Sequence, residues 1–278
     1  MIEAYVLIEA TVLIEATVAS VFGLVIGSFL NVCIHRCPRN RSVIKPRSHC
    51  VRCRQPIAWY DNIPVLSYLI LRGRCRHCGK HISWRYPLVE LLTGALFFAI
   101  VLQKGPTAAA LKACVFSAIL VALIFSDLEK RLLPDELTKG GILLGFAFAV
   151  IAPFADLPTQ IVLSLCGLQL TGRPLSLAAF AFGAFWPAFI LWGAGWLYGK
   201  IRHRDGLGFG DVKLVAMIGS FLGLQGALLT LTLGSVSGSV IGYSYIKLTG
   251  KDPATYELPF GSFLGAAALA VALCGAGW

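Results

Sequence analysis

Two aspartates at the ends of apolar runs demand a chemical explanation more than any other residues of this chain. Asp127 closes the run from Ala108 to Phe125, and Asp211 ends the tetrapeptide Gly208-Phe209-Gly210-Asp211 just before another apolar run opens at Val212. Carboxylates at membrane depth are costly and commonly functional. Two carboxyl groups within hydrogen-bond distance do not both ionise cheaply, so one keeps a proton while the other activates a water, and the pair titrates as a unit. The sequence does not say which is the base. For a lone Asp127, solvation or an ion pair with Lys130 or Arg131 is the simpler reading, and for Glu129, Asp135 and Glu136 a solvated helix end is preferred.

The glycines beside Asp211 have an obvious rival reading. Gly206-Leu207-Gly208-Phe209-Gly210 looks like a nucleotide-binding loop, but such a loop follows a strand and opens a helix. Here Arg202-His203-Arg204-Asp205 precedes it at a helix exit. Glycine has no Cβ to block an extended peptide, so Gly208, Phe209 and Gly210 are expected to form an access loop beside Asp211.

Four cysteines form a second candidate centre. Cys50-Val51-Arg52-Cys53 and Cys75-Arg76-His77-Cys78 are separated by 21 residues, a spacing expected of a structural zinc site with one thiolate pair from each turn. Nearby arginines favour the thiolate. Disulfides are the competing reading, against which a reducing cytoplasm argues. His49, His77 and His81 are read as bystanders. Cys33 and Cys37 lack a partner pair, and Cys114, Cys166 and Cys274 sit in or near apolar runs as small hydrophobes.

The elements that position these groups are apolar and long. With 57% hydrophobic and 14% charged residues in 278, the chain has the composition of a membrane protein. Runs near 17–34, 87–103, 108–126, 140–155, 175–198, 212–224, 226–246 and 260–277 predict an all-α polytopic membrane protein of about eight transmembrane helices, the run 212–224 being the weakest. The stretch from Ala155 to Arg173 reads as a connecting loop, with a buried or interfacial helix as the alternative.

Ahead of the first span, Glu3, Glu9 and Glu15 recur every six residues, which places them on three faces of a helix. Residues 1–16 are therefore expected to be an extension outside the membrane, and a cleaved signal peptide is not expected. The remaining organisation follows: a first span at 17–34, a basic cytoplasmic zinc-knuckle domain at 35–86, and a seven-helix membrane domain at 87–278.

Charge sets the expected orientation. Of 24 lysines and arginines, 12 lie between His35 and Arg85, and loops on the same side by span counting carry Lys130, Arg131, Lys139, Lys200, Arg202, Arg204, Lys247 and Lys251. The positive-inside rule places these, with Asp127 and Asp211, at the cytoplasmic face and both termini outside. The formal charge of +10 is thus a topology signal, with anionic lipid headgroups as natural contacts and no call for nucleic acid.

At these residues the chain resembles the prepilin peptidases, integral-membrane aspartic proteases of the GxGD type. Gly27-Ser28-Phe29-Leu30-Asn31-Val32 leads to Arg36-Cys37-Pro38, and the paired cysteine knuckles follow. Next come Arg85 to Gly94, Asp127 to Thr138, Gly208 to Leu214 and Pro259-Phe260-Gly261, so the similarity runs from about Gly27 to Gly261. It departs at Leu133, where isoleucine is usual, and at Ser262, where proline is common; neither is expected to touch the chemistry.

The resemblance implies a bacterial inner-membrane enzyme. It would cleave the basic leader of type IV prepilins and pseudopilins at a glycine before their apolar helix, using Asp127 and Asp211. It also implies N-methylation of the new terminus with S-adenosylmethionine, for which spacing locates no site. Two rivals stand beside it: a proton- or cation-coupled transporter using the same acids, which inverted repeats would favour, and a non-catalytic anchor gripping a partner through its zinc domain.

Overall fold

A computed structural model describes residues 2–202, 208–250 and 258–274, with the side chains of the first helix from Ala10 onward. Arg204, Gly206, Leu207 and Lys251, which figure in the expectations above, lie outside the described residues. Regular structure among the described residues is helical: α1 Ile2–Arg36, α2 Leu66–Ile70, α3 Arg85–Lys104, α4 Ala108–Lys130, α5 Asp135–Ile151, α6 Leu157–Leu165, α7 Arg173–Arg202, α8 Phe209–Thr249 and α9 Phe260–Leu273. Among the described residues, five stretches are long and apolar enough to cross a membrane: Ala10–Arg39, Arg85–Lys104, Ala108–Lys130, Arg173–Arg202 and Phe209–Thr249.

Contacts divide the chain into two units, residues 1–122 and 123–278. In the first, α1 and α3 pack antiparallel at close range because glycines face the contact. A Cβ on Gly23 would sit 2.8 Å from the Cα of Gly94, and one on Gly27 would sit 2.7 Å from the Cα of Glu90. One turn further on, Asn31 donates to the Tyr86 carbonyl at 3.1 Å. Small residues that let backbones approach are the usual glue of helix pairs in lipid. The stretch expected to be an extension outside the membrane is helical and continuous with the first span. No glycine or proline precedes Gly23 to break it.

In the second unit, α8 is broken at Gly223, whose φ of 71° and ψ of −171° leave the helical region. The break reverses the chain. Drawn straight, the 32 residues from Asp211 to Gly242 would span about 46 Å. Yet Gly242 packs against Leu258, and Gly261, three residues on, packs against Asp127 and Leu133. Leu133 in turn touches Gly210, next to Asp211. Both ends of α8 therefore lie at one level, and the runs expected at 212–224 and 226–246 are its two legs.

The stretch after Ala155, read as a loop, holds α6, capped by Asp156. The Asp156 Oδ2 accepts from the Thr159 backbone N–H at 3.1 Å and its Oδ1 accepts from the Gln225 N–H at 3.0 Å. One buried carboxylate thus caps both α6 and the second leg of α8, each of which begins with backbone donors lacking helical partners. A Cβ on Gly223 would sit 2.8 Å from that same Oδ1, so the turn needs glycine twice, for its φ and for its neighbour.

Candidate active site and metal centre

Asp127 stands in the last turn of α4, which Arg131 ends by adopting a left-handed φ of 52° while its N–H reaches the Asp127 carbonyl at 2.8 Å. Pro134 then fixes the entry to α5. The Asp127 side chain is buried, and its Oδ2 accepts two hydrogen bonds from one residue, the Ser262 N–H at 2.6 Å and the Ser262 hydroxyl at 2.8 Å.

Asp211 lies in the first turn of α8, half-buried, its N–H bonded to the Gly208 carbonyl at 3.0 Å. Leu133 links the two regions: a Cβ on Gly210, beside Asp211, would lie 3.4 Å from it, and one on Gly261, which faces Asp127, would lie 3.1 Å from it, so residues 84 positions apart share one neighbourhood. Glycines line it where a side chain would intrude. A Cβ would lie 3.5 Å from Asp211 Oδ2 at Gly208, and 3.2 Å from Asp127 Oδ2 at Gly261. Phe209, between Gly208 and Gly210, is exposed.

Three further residues belong to this site, and sequence reasoning set all three aside. Leu133 fills the space between the two glycine motifs, at 3.4 Å from a Cβ on Gly210 and 3.1 Å from one on Gly261. Ser262 holds Asp127 directly. Of the two departures from the family pattern, Ser262 bonds Asp127 and Leu133 packs between Gly210 and Gly261.

Asp135, read as merely solvated, ties α5 to α8. Its carboxylate pairs with Lys213 at 2.5 Å and with Lys139 at 2.7 Å, and the two ammonium groups, Lys139 first, hold it below the usual carboxylate range. Lys213 also lies 4.9 Å over the Phe209 ring. Only the Asp135–Lys139 pair, four apart on one helix, has a local sequence signature.

The cysteines converge as their spacing predicts. The sulfurs of Cys50, Cys53, Cys75 and Cys78 lie within 4.8 Å of one another, and Cys50 and Cys78 are 3.9 Å apart. Tetrahedral zinc with bonds of about 2.3 Å wants sulfurs about 3.8 Å apart, so the cluster fits that ion with little adjustment. The two knuckles are built alike. Cys50 and Cys75 each donate to a carbonyl five residues on, Gln55 and Lys80, and each accepts from the N–H four residues on, all at 2.9 Å. Arg54 and Gly79 supply the left-handed turn, with φ of 59° and 65°. Burial opposes the Cys50 thiolate, but N–H groups of Cys53 and Arg52 and the neighbouring thiols pull it down to about 7.

Comparison with known proteins gives a consistent result. Residues 21–104 match the Bacterial Peptidase A24 N-terminal domain, and residues 114–243 match the Type IV leader peptidase family. A prepilin leader peptidase/N-methyltransferase of Myxococcus xanthus is 43% identical over 83% of this chain and 63% of its own length. The proteins of the same name from Aeromonas hydrophila and Klebsiella pneumoniae are 35% and 37% identical, covering 89% and 77% of this chain and 86% and 87% of their own lengths. No solved structure gives a significant match.

Proposed function

Because the chain belongs to the type IV leader peptidase family, we propose that it cleaves the leader from type IV prepilins and pseudopilins with Asp127 and Asp211. One carboxylate takes a proton from water as its oxygen attacks the scissile carbonyl, while the other, protonated, donates to the carbonyl oxygen. The tetrahedral intermediate then collapses, the C–N bond breaks, and the amine leaves with a proton from the pair. Ser262 occupies Asp127 Oδ2 and so aims Oδ1 at the reaction. Gly208, Gly210 and Gly261 leave room for an extended substrate backbone. The observation that supports this reading is the packing of Gly210, next to Asp211, and of Gly261, against Asp127, on the one Leu133 side chain.

The distribution of lysine and arginine supports a cytoplasmic site in a bacterial inner membrane. Methylation of the new N-terminus rests on the relatives' name, with S-adenosylmethionine as donor. Zinc held by Cys50, Cys53, Cys75 and Cys78 would act structurally, since the knuckles have little core of their own.

The test is incubation of the purified protein with a precursor pilin, with and without S-adenosylmethionine, and mass spectrometry of the products. Asp127→Asn and Asp211→Asn should each lose about 10²- to 10⁴-fold in cleavage rate, the range that acid–base groups contribute. Full cleavage by either variant overturns the paired mechanism.

A further inference from the structure

Between α1 and α3 lies a short apolar segment whose side chains stay exposed among the described residues. Trp59, Ile63, Leu66, Leu69 and Ile70 are all exposed, Leu69 and Ile70 by about two thirds, at 65% and 66%. They are not loose. Ser67 is buried among them, its hydroxyl donating to the Tyr60 carbonyl at 2.8 Å and accepting the Ile63 N–H at 3.0 Å, which locks the turn at Trp59–Asn62 to α2.

A second tie fixes the depth of this segment. The Val65 N–H donates to Glu90 Oε2 at 2.7 Å, and Glu90 is buried on α3 beside Gly27 and Ser28 of α1. The 20 residues of α3 match the roughly 30 Å of a bilayer's hydrocarbon, so Glu90, five residues in from Arg85, lies about 7 Å along it. Val65 is held there in a strained conformation, φ 60° for a β-branched residue, which persists only where surrounding contacts enforce it. The chain must then place the exposed Leu66, Leu69 and Ile70 within a few ångströms of that level.

We propose that Ile63–Ile70 is a wedge that dips into the lipid on the side where α3 begins, with anionic phospholipid as its partner. Amphipathic segments of this kind seat their apolar face about 5–10 Å into the headgroup boundary, the depth at which Glu90 holds Val65. Charge agrees. From His35 to Arg85 there are 12 basic residues and a single acid, Asp61, and that acid is already paired with Arg76 at 2.6 Å. Arg72 and Arg74 follow the wedge directly and are exposed, placed to meet phosphate. A basic leader peptide would be repelled by such a collar, whereas an anionic headgroup is attracted. Trp59 and Trp84, both exposed, are the residue type that settles at this boundary.

The experiment places p-benzoylphenylalanine singly at Leu69, Ile70 and, as a lipid-facing reference at the same depth, Leu91 of α3. The full-length protein is reconstituted in phosphatidylethanolamine/phosphatidylglycerol vesicles, irradiated and analysed by mass spectrometry. Phospholipid adducts at Leu69 and Ile70 in at least half the yield at Leu91 are expected, with phosphatidylglycerol over-represented. Absence of lipid adducts at both positions while Leu91 gives them overturns the wedge. Adducts formed mainly with protein, either a second copy or this same chain, overturn it equally. No substrate is added, so the outcome is independent of the proposed cleavage.

Discussion

The cysteine cluster and the aspartate site are assembled by opposite means. All four thiols come from two turns within 29 residues, each shaped by its own backbone hydrogen bonds and one left-handed residue. The aspartate site draws on α4, α8 and α9, and its parts span 136 positions from Asp127 to Ser262. One centre is local, a cluster of four thiols that could hold a metal between its two turns. The other is tertiary, and its geometry is only as good as the close packing of glycine-rich helices. Metal chemistry tolerates a small polar scaffold, whereas a pair of carboxyl groups needs rigid elements around it.

Damage to helix packing should separate the two most sharply. A Cβ on Gly219 of α8 would already overlap the carbonyl oxygen of Gly183 on α7. Gly219→Leu should therefore cost more than about 4 kcal/mol, the range reserved for severe core defects, and abolish cleavage. Its zinc content, measured by atomic emission, should stay at one per chain; loss of zinc as well would erase the contrast.

Metal removal runs the other way. Cys75→Ser, or a strong chelator, should open residues 48–82 to limited proteolysis, because metal binding supplies much of the folding free energy of such a module. The circular dichroism of the helical membrane portion should change by only a few per cent. A collapse of total helix content would show that the knuckles are not a separable device.

Ser262 offers a finer probe. Ser262→Ala keeps the N–H donor to Asp127 and loses the hydroxyl, a deletion worth about 1–3 kcal/mol for a charged acceptor, or up to roughly 100-fold in rate. Cleavage should be slower in Ser262→Ala than in wild type, with melting temperatures nearly unchanged; equal rates would remove the Ser262 hydroxyl from the positioning of Asp127.

The smallest effect concerns pH. Lys139 and Lys213 hold the Asp135 carboxyl below its ordinary value, so the tether is fully formed above about pH 4 and is lost as pH falls through the lowered value. Wild type and Asp135→Asn should differ in melting temperature by about a degree or two at pH 7, and by less below pH 4. A difference that grows on acidification would contradict the ion pair.

The same contrast explains what the sequence made legible. The Cys-x-x-Cys turns, the apolar runs and the two aspartates announce themselves through local pattern, and the four thiols converge in one cluster. The contacts of Ser262 with Asp127 and of Lys213 with Asp135 cross 135 and 78 positions, with no periodicity to reveal them. Asp156 was hidden for a related reason. An N-cap aspartate followed by Leu157-Pro158 is a recognisable helix start, but its second duty, at Gln225, exists only because α8 folds back on itself. The helical form of the N-terminal repeat was obscured because three scattered glutamates argue about membrane depth, not about backbone conformation.

The break at Gly223 also sets a length. The leg from Phe209 to Leu222 has 14 residues and rises only about 21 Å, some 9 Å short of an average hydrocarbon layer of about 30 Å. Such hydrophobic mismatch makes the bilayer thin locally or brings headgroups and solvent inward at one end of the leg. Asp211 stands at one end of that leg. A short leg lowers the barrier for bulk water to meet a buried carboxyl group, and hydrolysis inside a membrane requires that supply.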